Sequence, residues 1–418
     1  MGTELFTVLP VSEARAELAK HLPAELRKRE ERPLLHCLGR RLARPVVARE
    51  NVPGFARATV DGYAVRAQDT FGASEGLPSF LTVTGEVRMG SAPLHGIGVG
   101  EAMRVATGGM LPLGADAVVM VEHTEQVGER NIEVNRPVGP GENVIGPDED
   151  VGAGEEVFPA NHLIRPQDLG YLSALGEVML EVYAPLQVGI VSTGDEIVPP
   201  EEKPGPGQVR DVNTYTLYGQ VLNLGGEAWL YGVAKDDSKL LEEKLTQAYR
   251  ETDLVIVSGG SSVGTRDHTA QIIAGLGEPG LVFHGLAVRP GKPTLGGVVG
   301  GKPVFGLPGH PAAAMISFDL LVAPLLQFGS YEKVKPSAFP VRAVISRSLA
   351  SAPGREEYIR VKLRGEQEKL YADPVLGKSG LLAPMVEADG LVRIPLESEG
   401  VAAGTEVDVY LFGTDYTL

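Results

Sequence analysis

The stretch from Asp253 to His268, DLVIVSGGSSVGTRDH, runs four consecutive apolar residues into glycines, hydroxyls and a carboxylate. Leu254 to Val257 suit a strand covered on both faces, while Gly259, Gly260 and Gly264 permit positive φ or close approach of a ligand. Successive amides in such a turn can point at an anion, and Ser258, Ser261, Ser262 and Thr265 add donors. The chemistry that suits this composition is phosphate or oxyanion handling. An ordinary strand-to-helix connection with capping residues uses the same residue types.

Further carboxylates follow other strand-like runs. Asp195 and Glu196 stand in STGDE, Asp236 and Asp237 in AKDDS, and Asp267 in GTRDH, so a parallel sheet would gather them along one rim. Carboxylates beside a glycine-rich phosphate loop commonly hold Mg²⁺ through a few oxygens. Asp237, Ser238 and Asp267 suit helix capping equally well. Arg289 and Lys292 bracket the rigid turn RPGKP, which is either an oxyanion clamp of two cations at fixed spacing or a surface turn. GLPGHP, from Gly306 to Pro311, precedes a long helical pattern whose first amides suit an anion. His310 has no second histidine nearby in the sequence and reads as structural or as a hydrogen-bond donor. Gly296 to Lys302 matches GxxxxGK, but Pro303 stands where a P-loop needs a hydroxyl for magnesium, and the flanks are strand-like; a P-loop is excluded.

The elements that must position these residues alternate from Leu186 to about Phe328. Strand-like QVGIVS, AWLYGV, DLVIVS and LVFHGLAV alternate with helical segments over Thr214 to Leu224, Ser238 to Arg250 and Thr269 to Leu276, followed by a hairpin and a helix from Pro311 to Leu326. Upstream, Val11 to Glu30 carries Ala14, Leu18, Leu22 and Leu26 at helical spacing, with Pro23 ending or kinking the helix near Leu22. From Gly54 to Pro137 the pattern changes to short strands, LTVTGEV, EAMRVATG, DAVVMVE and NIEVN, separated by turn residues. There Asp61 in TVDGYAV is either a turn-forming Asp-Gly or a carboxylate presented on a loop. GPGENVIGPDEDVGAGEEV, from Gly139 to Val157, is a glycine-rich acidic loop, and a β-rich tail follows Lys335.

The expected architecture is therefore multidomain α/β plus β. A discontinuous N-terminal domain (1–53 and 138–185) carries an inserted β-rich domain (54–137). A central α/β domain with a parallel sheet (186–332) and a C-terminal β domain (333–418) follow. At about 150 residues per domain, 418 residues allow two to four such units. A net charge of −16 argues against general affinity for nucleic acid or anionic membranes, so anionic ligands need a local basic pocket. The single cysteine, Cys37, excludes an intramolecular disulfide or a cysteine metal cluster and reads as a small core residue, in keeping with a cytoplasmic location. The N-terminus lacks a basic n-region and a long apolar h-region, and Phe6 breaks the myristoylation pattern. Pro308, Pro311, Asp319 and Pro324 make the apolar run Val304 to Leu326 a poor membrane span.

Taken together, TVDGYAV, RVATGGMLPLGADAVVMVE, GENVIGPDEDV, STGDEIV, SGGSSVGTRDHT, LAVRPGKPT, GLPGHPAAA, PGREEYIRV and KSGLLAPMVEADGL occur in an order that resembles the MoeA family of molybdopterin molybdenumtransferases, related to a domain of gephyrin. The resemblance covers nearly the whole chain. It implies an elongated homodimer with a molybdopterin-binding α/β domain and active clefts between subunits. It further implies insertion of molybdate into adenylylated molybdopterin, with release of AMP and help from Mg²⁺ or another divalent cation. Contacts with a molybdopterin adenylyltransferase and with acceptor molybdoenzymes would follow.

The matched positions are Asp61, Thr107, Asp150, Glu196, Asp236, Asp267, Lys292, Pro308, Pro311, Arg355 and Ser379. On this reading Asp236 and Asp267 help hold the metal, and Gly259, Gly260, Ser261 and Ser262 cradle phosphate. Arg289 and Lys292 pair with the pterin phosphate or the oxyanion, which Arg355 and Ser379 reach from the last domain; Asp61, Thr107 and Asp150 order the cleft from the β-rich side. The chain departs from the family pattern at Ile145, where the GxNxR loop has Arg, and at Val60, Val212, Ser261, Arg289 and His310. Loss of the loop arginine removes charge and hydrogen-bonding capacity together. A tungstate-selective paralogue and a catalytically reduced pterin-binding scaffold are the alternatives.

Overall fold

The computed structural model describes residues 8–235, 237–259, 263–333, 340–366 and 368–412, with backbone alone at 263–267. Two compact units form, one from residues 1–30 and 183–418, the other from residues 31–182.

The first unit is built on a six-stranded sheet. Its elements are β1 (Gln187–Thr193), α1 (Asn213–Asn223), β2 (Glu227–Ala234), α2 (Ser238–Glu251), β3 (Leu254–Gly259), α3 (Val263–Gly275), β4 (Pro279–His284), β5 (Leu295–Val299), β6 (Lys302–Leu307), α4 (Pro311–Leu321) and α5 (Ala323–Phe328). The strand order is β2-β1-β3-β6-β5-β4, parallel across the first four strands and antiparallel at β5. Alternation along β3 shows why its apolar run is continuous. Leu254 and Ile256 face one core, with Val11, Ala14 and Leu18 of the helix Val11–Ala19; Val255 and Val257 face the other, with Leu241, Leu245 and Ala248. Full burial of Phe305 and Phe318 contributes about 1.5–3 kcal/mol each relative to exposure.

Several element boundaries differ from the sequence expectation. The first helix stops at Ala19, before Pro23 is reached. Helix α3 begins at Val263 instead of Thr269, because glycine and hydroxyl residues are readily accepted in a first turn whose amides have no intrahelical partner. The long C-terminal helix is two helices that break at Val322, ahead of Pro324, which lacks an amide for an intrahelical bond. Together these helices make an 18-residue stretch apolar enough to cross a membrane by length and composition, yet 83% of it is buried inside the fold as core. The rejected P-loop segment is the β5–β6 hairpin, turned by Gly300 and Gly301 at positive φ, and Lys302 donates to the carbonyls of Tyr249 and Thr252.

A closed barrel completes this unit: β7 (Val341–Ile345), β8 (Glu356–Glu366), β9 (Lys369–Pro374), β10 (Gly390–Ile394) and β11 (Glu406–Leu411), in the cyclic order β8-β9-β7-β11-β10. The short strand Val288–Arg289, which precedes the RPGKP turn's proline, pairs in parallel with Glu356 and Glu357 of β8.

In the second unit a six-stranded sheet orders Ala117–Met120, Gly62–Val65, Glu101–Val105, Ser79–Glu86, Asn131–Val134 and Thr124–Val127. Val65, Ala102 and Val119 bury one face; Ala64, Met103 and Val118 bury the other. Asp61-Gly62 is not a hairpin turn, since Gly62 opens an interior strand. A Cβ there would lie 1.9 Å from the Val119 carbonyl oxygen, which is why the position is glycine. Cys37 sits in a separate core with Leu42, Ile164 and Leu172, fully buried as expected.

Candidate functional site

In the first unit the turn RPGKP, the start of α4 and one side of the barrel enclose a cleft of about 1150 Å³. Arg289, Lys292, Pro308, His310, Arg355 and Ser379 all line it. Their positions come from backbone constraints. Gly291 takes φ +123° where a Cβ would press within 2.9 Å of Ser317 Oγ, and buried Thr294 ties the turn by donating to the Gly291 carbonyl at 2.6 Å. Pro311 is the first residue of α4, where its missing amide costs nothing.

The cleft is cationic and poorly compensated. Arg289 meets Glu357 at 3.4 Å, whereas exposed Lys292 has no ion-pair partner among the described residues. Arg355 Nε is buried without a hydrogen-bond partner. Arg360, which also lines the cleft, donates through Nη2 to the Gly377 carbonyl at 2.8 Å and leaves Nη1 buried and unpaired. Burial lowers the Arg360 guanidinium below the usual arginine range, with no carboxylate to oppose the shift. Lys378 adds a further cation from the barrel side. Ser379 docks on α4 twice: its carbonyl accepts the Ala312 amide at 3.2 Å, and its hydroxyl lies 3.0 Å from His310 Nδ1.

A smaller cavity of about 170 Å³ opens at the ends of β3 and β6, lined by Gly259, Thr269, Pro308, Gly309 and His310 among others. The loop that forms its wall is held by Asn213, whose Nδ2 donates to Ser258 Oγ at 2.8 Å and to the Gly309 carbonyl at 3.0 Å. Gly259 has a packing reason for being glycine, because a Cβ there would lie 1.9 Å from the Thr193 carbonyl oxygen. Asp237 caps α2, its Oδ1 accepting the amides of Lys239 and Leu240, which bears out the capping alternative. Glu196 is half-buried and folds its carboxylate back over Gly194, lining neither cavity. Asp236, Gly260, Ser261 and Ser262 lie outside the described residues, as does the Asp267 side chain. Among the described residues no three His, Cys, Asp or Glu side chains are grouped to hold a metal ion.

In the second unit Asp61 and Thr107 form a pair. Asp61 Oδ1 accepts the Thr107 amide at 2.7 Å and its hydroxyl at 2.9 Å. These two bonds hold the exposed Asp61 carboxyl below its usual range. Asp150 is exposed, and its carbonyl accepts the Tyr171 hydroxyl at 3.3 Å. In the acidic loop Glu142 and Glu149 accept the amides of Gly139 and Gly146, so both fold its turns. Ile145 pairs directly with Arg57 across two short antiparallel strands.

Sequence reasoning missed Arg360, Lys378 and Asn213 and gave His310 only a structural or donor role. Nothing in the strand-like EYIRVKLR singles out Arg360 by type or spacing. The polar Asn213 directly before an apolar helical pattern was a usable signal, since a buried amide there needs partners.

Comparison with known proteins places the chain. Residues 9–176 match the MoeA N-terminal region (domains I and II), residues 189–327 the probable molybdopterin binding domain, and residues 342–412 the MoeA C-terminal region (domain IV). A putative molybdopterin biosynthesis protein of Methanocaldococcus jannaschii is 36% identical over 93% of this chain and 93% of its own length. Molybdopterin molybdenumtransferase 2 of Mycobacterium tuberculosis is 32% identical over 90% of this chain and 94% of that one. The crystal structure of a molybdopterin biosynthesis MoeA protein from Pyrococcus horikoshii superposes with a TM-score of 0.81 at 38% identity, covering 97% of this chain and 99% of that one. The chain belongs to the MoeA family. It is a transferase of molybdenum cofactor biosynthesis.

Proposed function

We propose that the chain inserts molybdate into adenylylated molybdopterin and releases AMP. The observation that carries this reading is the cleft itself: in a protein of net charge −16, Lys292, Arg355 and Arg360 face one space without carboxylate partners among the described residues. Such a surround favours a multiply charged anion, because these cations, two of them with a buried nitrogen, gain a counter-charge when it arrives. Lys292 and Arg355 would take the oxyanion, with Ser379 donating its hydroxyl. Arg289, held by Glu357, would face the pterin phosphate. The smaller cavity at the ends of β3 and β6 would receive part of the pterin nucleotide.

Carboxylate oxygens are the donor chemistry that Mg²⁺ prefers, and Asp236 and Asp267 would hold it, Asp237 being engaged in its cap. When bound, the ion neutralises charge on the phosphoanhydride. Asp61, kept ionised by Thr107, would serve the reaction as a fixed negative charge. The domain division given above and a cytoplasmic homodimer belong to the same proposal, and sedimentation velocity tests the dimer.

The direct test is AMP release from adenylylated molybdopterin by the purified chain, with Mg²⁺ and either molybdate or tungstate at low concentration. Release that requires an oxyanion and is abolished by Asp267→Ala is expected. No release with either oxyanion ends this reading, and a preference for tungstate revises its substrate.

A further inference from the structure

His310 occupies an unusual place in the first unit, because it lines both the small cavity at the strand ends and the large cationic cleft. It is the residue before α4, and its Nδ1 lies 3.0 Å from Ser379 Oγ, contributed by the barrel side. We infer that His310 is a positioning residue for oxyanion binding: its Nδ1–H donates to Ser379 Oγ and so turns the one hydroxyl hydrogen of Ser379 toward the anion. The inference rests on the oxyanion reading above and adds to it a residue and a direction of hydrogen bonding.

A serine hydroxyl has one hydrogen and two lone pairs. The same cleft is lined by Lys292, Arg355, Arg360, Lys378 and Arg289 with its partner Glu357, so an incoming anion meets several cations there. Were His310 Nδ1 the acceptor, the Ser379 hydrogen would point at the imidazole and the anion would face hydroxyl lone pairs. With Nδ1–H as the donor, the hydroxyl hydrogen is free for the anion and the hydrogen-bond chain runs in one direction. The Ser379 carbonyl cannot serve the anion, because it is an acceptor with no hydrogen to donate; it takes the Ala312 amide at 3.2 Å.

The segment that carries Ser379 is pinned, which makes this orientation matter. Arg360 Nη2 holds the Gly377 carbonyl at 2.8 Å, the Ala312 amide holds the Ser379 carbonyl, and the Leu381 amide closes a turn onto the Lys378 carbonyl at 3.0 Å. His310 therefore does little to place the backbone. Its distinct contribution is to the direction of one hydroxyl.

Calorimetric titration of sodium molybdate and sodium tungstate into the full chain tests this in a cycle of His310→Leu, Ser379→Ala and the double variant. His310→Leu is expected to weaken oxyanion binding about tenfold, the scale of one oriented hydrogen bond to a charged group. His310→Asn, which keeps an N–H donor, should stay within about threefold of the wild type. On the Ser379→Ala background His310→Leu should cost nothing further, a non-additivity that a merely structural role would not produce. Should His310→Leu fail to fold, His310→Phe keeps the ring volume without nitrogens and takes its place. Wild-type binding with an unaffected His310→Leu, or equal losses on both backgrounds, overturns the inference alone. A wild-type chain that takes up neither oxyanion overturns the oxyanion reading and this inference with it.

Discussion

Two ionic clusters in this chain handle charge in opposite ways. In the second unit, Asp168 is 3% exposed and accepts from Arg165 Nε and Nη2 at 3.0 Å each, from the Arg165 amide at 2.8 Å, and lies 2.7 Å from His162 Nε2. Burial works to raise its carboxyl, but the hydrogen bonds from Arg165 and His162 outweigh burial and hold it well below the usual range. Phe158 stacks on His162 with ring centroids 4.5 Å apart, so the cluster is closed on its apolar side as well. In the cleft of the first unit, by contrast, among the described residues only Arg289 has a carboxylate, while Lys292 and buried nitrogens of Arg355 and Arg360 are unmatched. Where charge is matched within the chain, the network caps and holds a helix. Where it is not, the partner proposed above is the anionic ligand.

The contrast can be broken most sharply at Lys292. Lys292→Ala should lower oxyanion-dependent AMP release by about 100-fold with an unchanged melting temperature, the scale of losing one preorganised charge from an anion site. A stability loss of the same size would instead class the cleft with the Asp168 cluster. At Asp168 the expectation is reversed: Asp168→Asn should cost about 2 kcal/mol in urea unfolding through the lost cap and buried bonds. Its pH dependence follows from the depressed folded-state value. The Asp168 contribution is complete above the ordinary aspartate value of about 3.9 and is lost as pH falls toward the folded one, so Asp168→Asn should flatten the acid limb of the stability curve below about pH 4.

Smaller effects sharpen the boundary between the two kinds of site. Asn213→Ala removes the amide that ties the Gly309 carbonyl to Ser258, and should lower turnover about fivefold and also cost about 1–2 kcal/mol in thermal melting, because buried acceptors lose their donor. Ile145→Arg places a second cation directly across from Arg57. It should cost about 0.5 kcal/mol in thermal melting, the scale of like charges paired across strands, and an altered oxyanion preference in the same variant would bring that loop into the site.

How much of this was legible depended on whether a residue's role is local. The buried strand Leu254–Val257 was readable because continuous apolar residues leave few alternatives, and Asp237 as a cap because an acidic residue before a helical pattern has a short-range partner. The turn RPGKP could be recognised as a fixed pair of cations, and the family motifs named the wall that Arg355 and Ser379 complete. Arg360 was not legible, since its meaning lies in the absence of a carboxylate, which only the fold displays. Gly62 was misleading for the same reason: it is glycine because a neighbouring strand's carbonyl passes where a Cβ would be, not because the chain turns, whereas Gly259 combines such an approach, by the Thr193 carbonyl, with the positive φ its sequence context allowed, +133°. Likewise α3 begins at Val263 because first-turn positions tolerate the residues that usually signal a loop.

The short pairing of Val288 and Arg289 with Glu356 and Glu357 has a further consequence. On the other side of the same segment, the Leu9 amide donates to the Gly285 carbonyl and the Ala287 amide to the Leu9 carbonyl. The floor of the cleft is thus a stitched seam, in which peptide groups join the two walls alongside the Arg289–Glu357 and Ser379–His310 side-chain contacts. Residue exchanges along the walls retune what the cleft attracts, while this backbone seam helps to set its bore. A barrel transplanted from a relative keeps that bore only if the seam is transplanted with it.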